Sequence, residues 1–266
     1  MEPGGDDGPG PAGGDPPRRR RALRGASLKR LLLNIDLGER GVGHPLDLAL
    51  LGHADLANVA CGGHAGSADE AAFWSREAAV RGVAVTAHLS YPDRSGFGRR
   101  AMAIPFDRLA RSLAWQLARL PETAAVKLHG ALYQAADTDA GLAPRLAAWL
   151  AGAGVARVLT PASGALAAAA ADAGLAVVPE AFADRCYTRE SATGRPVLLS
   201  RRHAGAVLAA DRAAEQARGL AVRGVVTLRE GGEAAVAAET LCVHGDGPEA
   251  LAVASAVAGV LRESSA

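Results

Sequence analysis

LANVACGGHAGSADEAAFWSREAAVRGVAVTAHLSYPDRSGFGRR, residues 56–100, decides the fold. A short apolar run, Leu56–Val59, passes into the polar stretch Asn58 to His64, and a second run, Val83–Ala87, passes into His88 to Arg94. Between them Ser67 and Glu70 have the Ser-x-x-Glu spacing of a capping box, which opens a helix running to about Arg81, where Gly82 stops it. Strand, helix, strand, with polar side chains collected after each strand, is the unit of a parallel sheet whose carboxyl ends converge on one site.

Four more stretches repeat the layout: LLLNIDLGE (31–39), AVKLHGALY (125–133), VVPEAFADR (177–185) and TLCVHGDGP (240–248). Further strands are predicted at Ala156–Thr160 and Val225–Leu228. The alternation favours right-handed crossovers, hence an α/β fold: a (β/α) barrel-like fold of about seven strands. Leu109, Leu113, Leu117 and Leu120 make one face of a helix with Pro105 at its first position, and Trp115 lies off that stripe. His44, His53 and Asp55 read as loop residues, and 186–204 reads as a long polar loop able to cover the site.

A chain of 266 residues suffices for one such domain, expected over 28–266. Residues 1–27, rich in Gly, Pro and charge, read as a disordered tail. A net charge of +1 gives no strong field toward nucleic acid or membrane. Three cysteines, Cys61, Cys186 and Cys242, without CxxC spacing, read as reduced and mostly buried in a cytoplasmic protein. The Arg18–Arg21 run is followed by no apolar region of an export signal.

Lys29 and Lys127 are the chain's lysines and Asn34 and Asn58 its asparagines, so finding three of these four at strand ends is informative. Four of the seven histidines, His64, His88, His129 and His244, sit at strand ends as well. Imidazole serves as acid, base or metal ligand near neutral pH. Asp36, Glu39, Asp93, Glu180, Asp184 and Asp246 join them, and carboxylates sharing a cavity need cations, here Arg94, Lys127 and Arg185. Asp36, His64, Lys127 and His129 are the expected catalytic groups. Asn34, Glu39, Asn58, His88, Asp93, Arg94, Glu180, Asp184, Arg185, His244 and Asp246 are the expected substrate- or phosphate-binding groups. Asp36, His64 and His129 also form a candidate metal set. CVHGDGP (242–248) leads from strand to helix through glycines that suit an anion, although no Walker loop occurs.

NIDLGE (34–39), ANVACGGHAG (57–66), AHLSYPDRSGFGRR (87–100), VKLHGALY (126–133), FADRCY (182–187) and CVHGDGP (242–248) together resemble the LamB/YcsF family, that of the A component of bacterial 5-oxoprolinase. The resemblance implies a barrel related to glycoside hydrolases and deacetylases, and ATP-dependent opening of 5-oxoproline to L-glutamate with two further 5-oxoprolinase subunits, B and C. ATP, with Mg2+, is the implied cofactor; the lactam is amide-stabilised, so coupling to ATP supplies driving force. A stand-alone metal-dependent hydrolase or deacetylase of carbohydrates or amides, and a non-catalytic scaffold subunit, are the alternatives. The chain departs from the family's usual residues at Leu32, Gly63, Ser67, Leu128 and Gln134. Lys127→Arg is expected to lower turnover at least about tenfold with little change in folding.

Overall fold

The computed structural model describes Met1 and residues 31–264; the rest of the N-terminal segment read as a tail, and Lys29, lie outside the described residues. Seven parallel strands close into a barrel: β1 (Leu32–Leu37), β2 (Leu56–Ala60), β3 (Ala84–Leu89), β4 (Ala125–Leu128), β5 (Arg157–Thr160), β6 (Ala176–Phe182) and, last in the chain, a strand at Thr240–Val243. This last strand closes the ring by pairing with β1 on one side and β6 on the other. The (β/α) barrel of about seven strands read from the sequence is therefore the fold.

Four sequence expectations are corrected. Residues read as a loop around His44 contain helix α1 (Pro45–Leu51), where Pro45 favours the first turn and the His44 ring accepts from Leu46 N. The expected long loop 186–204 contains a hairpin, β7 (Tyr187–Arg189) against β8 (Pro196–Leu198). Val225–Leu228 is not a barrel strand; β9 (Val225–Thr227) pairs antiparallel with β10 (Glu233–Ala235), because three residues alternating with solvent-facing neighbours cannot fill a barrel wall. The closing strand is thus β11. Pro105 caps its helix rather than opening it.

The helices form the outer layer: α2 (Ala68–Val80), α3 (Phe106–Leu117), α4 (Gly130–Thr138), α5 (Leu142–Gly152), α6 (Ala165–Asp172), α7 (Ala210–Arg223) and α8 (Ala250–Glu263). Ser67 Oγ accepts from Glu70 N at 3.2 Å, the first half of the anticipated capping box. On α3, Leu109 and Leu113 are buried while Trp115 is exposed. Gln116 from the same helix is buried and clamps Ser90 through both its backbone groups, fixing the start of the loop after β3.

Strand alternation divides the core. Leu33, Ile35 and Leu37 pack with the helical layer's Leu50, Leu51 and Trp74, whereas Asn34 and Asp36 between them bond to side chains from other strands across the barrel. The apolar layer is ordinary; the interior is polar. That second property makes the barrel a site rather than a packed core.

Candidate active site

A hydrogen-bonded chain runs through the barrel. Thr240 Oγ1 accepts from Asn34 Nδ2 at 2.9 Å, and Asn34 Oδ1 accepts from Asn58 Nδ2 at 2.7 Å. Asn58 also donates to Asp36 Oδ1 at 2.9 Å and accepts from Thr86. Lys127 Nζ donates to Asp36 Oδ1 and to Cys242 Sγ, each at 2.8 Å, and to Asn34 Oδ1 at 3.3 Å, with Glu180 Oε1 3.5 Å away. Tyr133 closes the chain by donating to Glu180 Oε2 at 2.8 Å.

Lys127 is only 2% exposed, so its charge must be balanced locally. Burial works against the ammonium, but Asp36, with Glu180, prevails and raises its pKa well above the usual lysine value. Burial likewise opposes ionised Asp36, yet His88 and Lys127 hold that carboxyl well below the ordinary range. The pair is a fixed, buried ion pair. Cys242 stays a thiol, since burial pushes it up despite the lysine.

Beside this axis lies a rim of histidines. His88 Nε2 is 3.3 Å from Asp36 Oδ2 and 3.0 Å from His129 Nδ1. His64 stacks on His129 with ring centroids 3.7 Å apart, and its Nε2 is 3.0 Å from Glu39 Oε1. Burial, followed by neighbouring imidazoles, drives His64 and His129 well below the usual imidazole value, and burial with the nearby Asp36 pushes Glu39 up to about 8.

The loop after β3 shapes this rim under backbone strain. Phe97 takes the left-handed conformation at φ 53°, uncommon for a bulky residue, and its carbonyl meets His129 Nε2 at 3.0 Å. Gly98 follows at φ +65°, where a Cβ would stand 2.9 Å from both His129 Cδ2 and His64 Cβ. Only glycine fits between those rings.

An open cavity of about 540 Å³ reaches Asp36, His88, Lys127 and His129, and Arg99, Arg185, Arg201 and Arg202 stand around it. This volume suits a small molecule, and the arginines suit an anionic one. The β7–β8 hairpin and the residues after it contribute Leu198, Ser200, Arg201 and Arg202, so this polar segment does border the site.

The sequence-selected residues separate into three uses. Asn34, Asp36, Asn58, Lys127 and Glu180 build the axis, and Glu39, His64, His88 and His129 build the rim. His244 and Asp184 form a pair at 2.9 Å beside the cavity, and the His244 N–H is also taken by Asp184, so that loop amide is not free for an anion. Asp246 pairs with Arg99 and Arg201. Arg94 instead donates to the Gly66 carbonyl at 2.7 Å and braces the loop after β2. Asp93 caps its own turn and pairs with Arg100. Arg185 borders the cavity but spends its donors on the Leu199 and Ala206 carbonyls. Tyr133, Cys242, Arg99 and Arg201 were not singled out by sequence reading as site residues. Each lies in or beside a quoted strand-end stretch except Arg201, which lies in the polar 186–204 segment expected to cover the site. Leu32 begins β1, at the opposite end of that strand from the Asp36 cluster.

Sequence and structure comparisons agree on kinship. The sequence model of the LamB/YcsF family matches residues 31–266. A Streptomyces coelicolor protein, named as the A component of 5-oxoprolinase, is 44% identical over 244 residues, covering 86% of this chain and 95% of its own. A Methylococcus capsulatus protein of the same name is 41% identical over 238 residues, covering 84% and 88%. The crystal structure of a lactam utilization protein from Thermus thermophilus superposes with a TM-score of 0.75 at 34% identity, covering 89% of this chain and 97% of that one.

Proposed function

The chain belongs to the LamB/YcsF family, and from that premise we propose that it is the A component of a 5-oxoprolinase that opens 5-oxoproline to L-glutamate at the expense of ATP, together with the B and C components. The observation that carries this reading is near full-length similarity to proteins named for that role, 44% identical over 95% of the Streptomyces coelicolor relative. The cavity chemistry supports it: 5-oxoproline is a small lactam bearing a carboxylate, and Arg99, Arg201 and Arg202 offer cations at the mouth while Lys127 offers one at the floor.

On this reading the Lys127 ammonium, kept charged by Asp36, meets negative charge developing on the lactam oxygen. The imidazoles of His88 and His129, which face the same cavity, are placed to take a proton from attacking water. Glu180 and Tyr133 hold Lys127 from the other side. ATP would supply the driving force, its phosphate charge meeting the arginines of the mouth; Mg2+ would accompany it.

Co-expression with the two partner components, followed by measurement of glutamate from 5-oxoproline, tests the reading. ATP-dependent glutamate from the complex, and little from the chain alone, is the expected result. Robust turnover by the isolated chain, or hydrolysis of amide substrates without ATP, would overturn it in favour of a stand-alone hydrolase.

A further inference from the structure

Two imidazoles on the rim face each other through ring nitrogens 3.0 Å apart. His88 Nδ1 is 3.2 Å from the Lys127 carbonyl and His129 Nε2 is 3.0 Å from the Phe97 carbonyl. A carbonyl oxygen only accepts, so each of those nitrogens carries a hydrogen, and His88 Nε2 and His129 Nδ1 are the nitrogens turned toward each other. These two nitrogens stand 3.0 Å apart, and an Asp36 carboxylate oxygen stands 3.3 Å from His88 Nε2. Something positive belongs between them.

Further donor atoms converge on the same place. Glu39 Oε1 is 4.0 Å from His129 Nδ1 and 3.0 Å from His64 Nε2. Among the described residues, one ligand atom from each of Glu39, His64, His88 and His129 lies within 4.8 Å of all the others. His64, whose side chain is buried, also has an Nδ1 without any partner. A second convergent group, Asp36, Cys242 and His244, is different in kind, because the Lys127 ammonium already contacts both Asp36 and Cys242.

We propose that Glu39, His64, His88 and His129 bind a divalent first-row transition ion of the zinc class. Two nitrogens each about 2.1 Å from one ion stand roughly 3.0–3.4 Å apart at angles between right and tetrahedral, which the His88–His129 separation meets. The backbone carbonyls holding the far nitrogens of both rings are the outer contacts that fix the orientation and tautomer of metal-binding histidines. Imidazole-rich sets with one carboxylate select zinc-class ions over magnesium, which prefers oxygen ligands. A single proton on His88 Nε2 is the rival arrangement; it joins His88 to His129 or Asp36 and does not account for the Glu39–His64 pair converging on the same place. Bound beside Lys127 and the cavity, such an ion would supply a Lewis acid and an acidified water, and with it bound the water's activation would pass from the His88 and His129 imidazoles to the ion.

The test uses the full chain alone and needs no partner protein, ATP or lactam, so its failure is distinguishable from failure of the 5-oxoprolinase reading. After chelator treatment, Zn2+ is titrated calorimetrically. One ion per chain with micromolar or tighter affinity is expected, Mg2+ binding far more weakly. His88→Gln and His129→Gln should each weaken Zn2+ binding by at least about a hundredfold, whereas His203→Gln, on an exposed histidine, should not. If a variant fails to fold, imidazole nitrogen NMR of the wild-type chain decides: Zn2+ should shift the His88 and His129 resonances. Absence of stoichiometric binding, equal binding by the variants, or a proton retained between His88 and His129 with Zn2+ present would overturn the proposal.

Discussion

The axis and the rim of this barrel are both buried and both polar, yet they are finished to different degrees. Along the axis, Lys127 supplies hydrogen bonds to Asn34, Asp36 and Cys242 and Tyr133 supplies one to Glu180 Oε2, while Glu180 Oε1 has no hydrogen bond but faces the Lys127 ammonium at 3.5 Å. At the rim, two imidazole nitrogens face each other at 3.0 Å and His64 Nδ1 has no partner, so the contacts are incomplete. A closed network rigidifies, whereas an open one is available to a ligand. Asp36 is the residue they share, giving Oδ1 to Lys127 and Oδ2 to His88.

If the axis is closed in this way, breaking it should cost stability in proportion to the charge left unpaired. Lys127→Met leaves Asp36 and Glu180 without their cation, and denaturant unfolding should show a loss of about 3–5 kcal/mol. A loss under about 1 kcal/mol would mean that the two carboxylates share a proton instead. Lys127→Arg is less informative than the sequence suggests, since a larger fork at a side chain 2% exposed disturbs the packing around Asp36 as well as the charge. Tyr133→Phe removes only the donor to Glu180 Oε2 and should cost about 1–3 kcal/mol by the same measurement.

Acid sharpens the contrast through a pair beyond both regions. Burial opposes ionised Asp184, but His244 holds its pKa below the usual value. The folded value is therefore lower than the unfolded one, so the stabilisation is fully present above the unfolded value, about 3.9, and is lost as pH falls through the folded value. Asp184→Asn should flatten the acid limb of a stability-versus-pH profile; an unchanged limb would contradict the pairing. The smallest effect is expected at the mouth. Asp246→Asn disrupts pairs with Arg99 and Arg201, which are 38% and 27% exposed, and should change stability by less than about 1 kcal/mol.

Much of this was legible in the sequence because strand ends are punctuated. Asn34, Asp36, Asn58, Lys127 and Glu180 interrupt apolar runs at positions where a side chain must point into the barrel, and the rarity of Lys and Asn in this chain marked three of them. What was not legible depends on distance between elements. Arg94 and Arg185 looked like counter-charges, but backbone carbonyls of neighbouring loops take their donors. Glu39 looked like one carboxylate among several, and only the fold sets it against His64 and His129. Val225–Leu228 has the composition of a barrel strand, yet its pairing partner is the local hairpin strand β10. Composition fixes propensity, and partners are set by topology.

Asp36 offers the most direct test, because it belongs to both regions at once. Asp36→Asn keeps the size and one acceptor while removing the charge that holds Lys127 and faces His88. Glutamate formation from 5-oxoproline and ATP is to be measured for complexes reconstituted with the wild-type and the Asp36→Asn chain, each first shown to fold and assemble. The account predicts at least a hundredfold fall, about 2.7 kcal/mol of lost transition-state stabilisation. Turnover within twofold of wild type would contradict the assignment of chemistry to this end of the barrel.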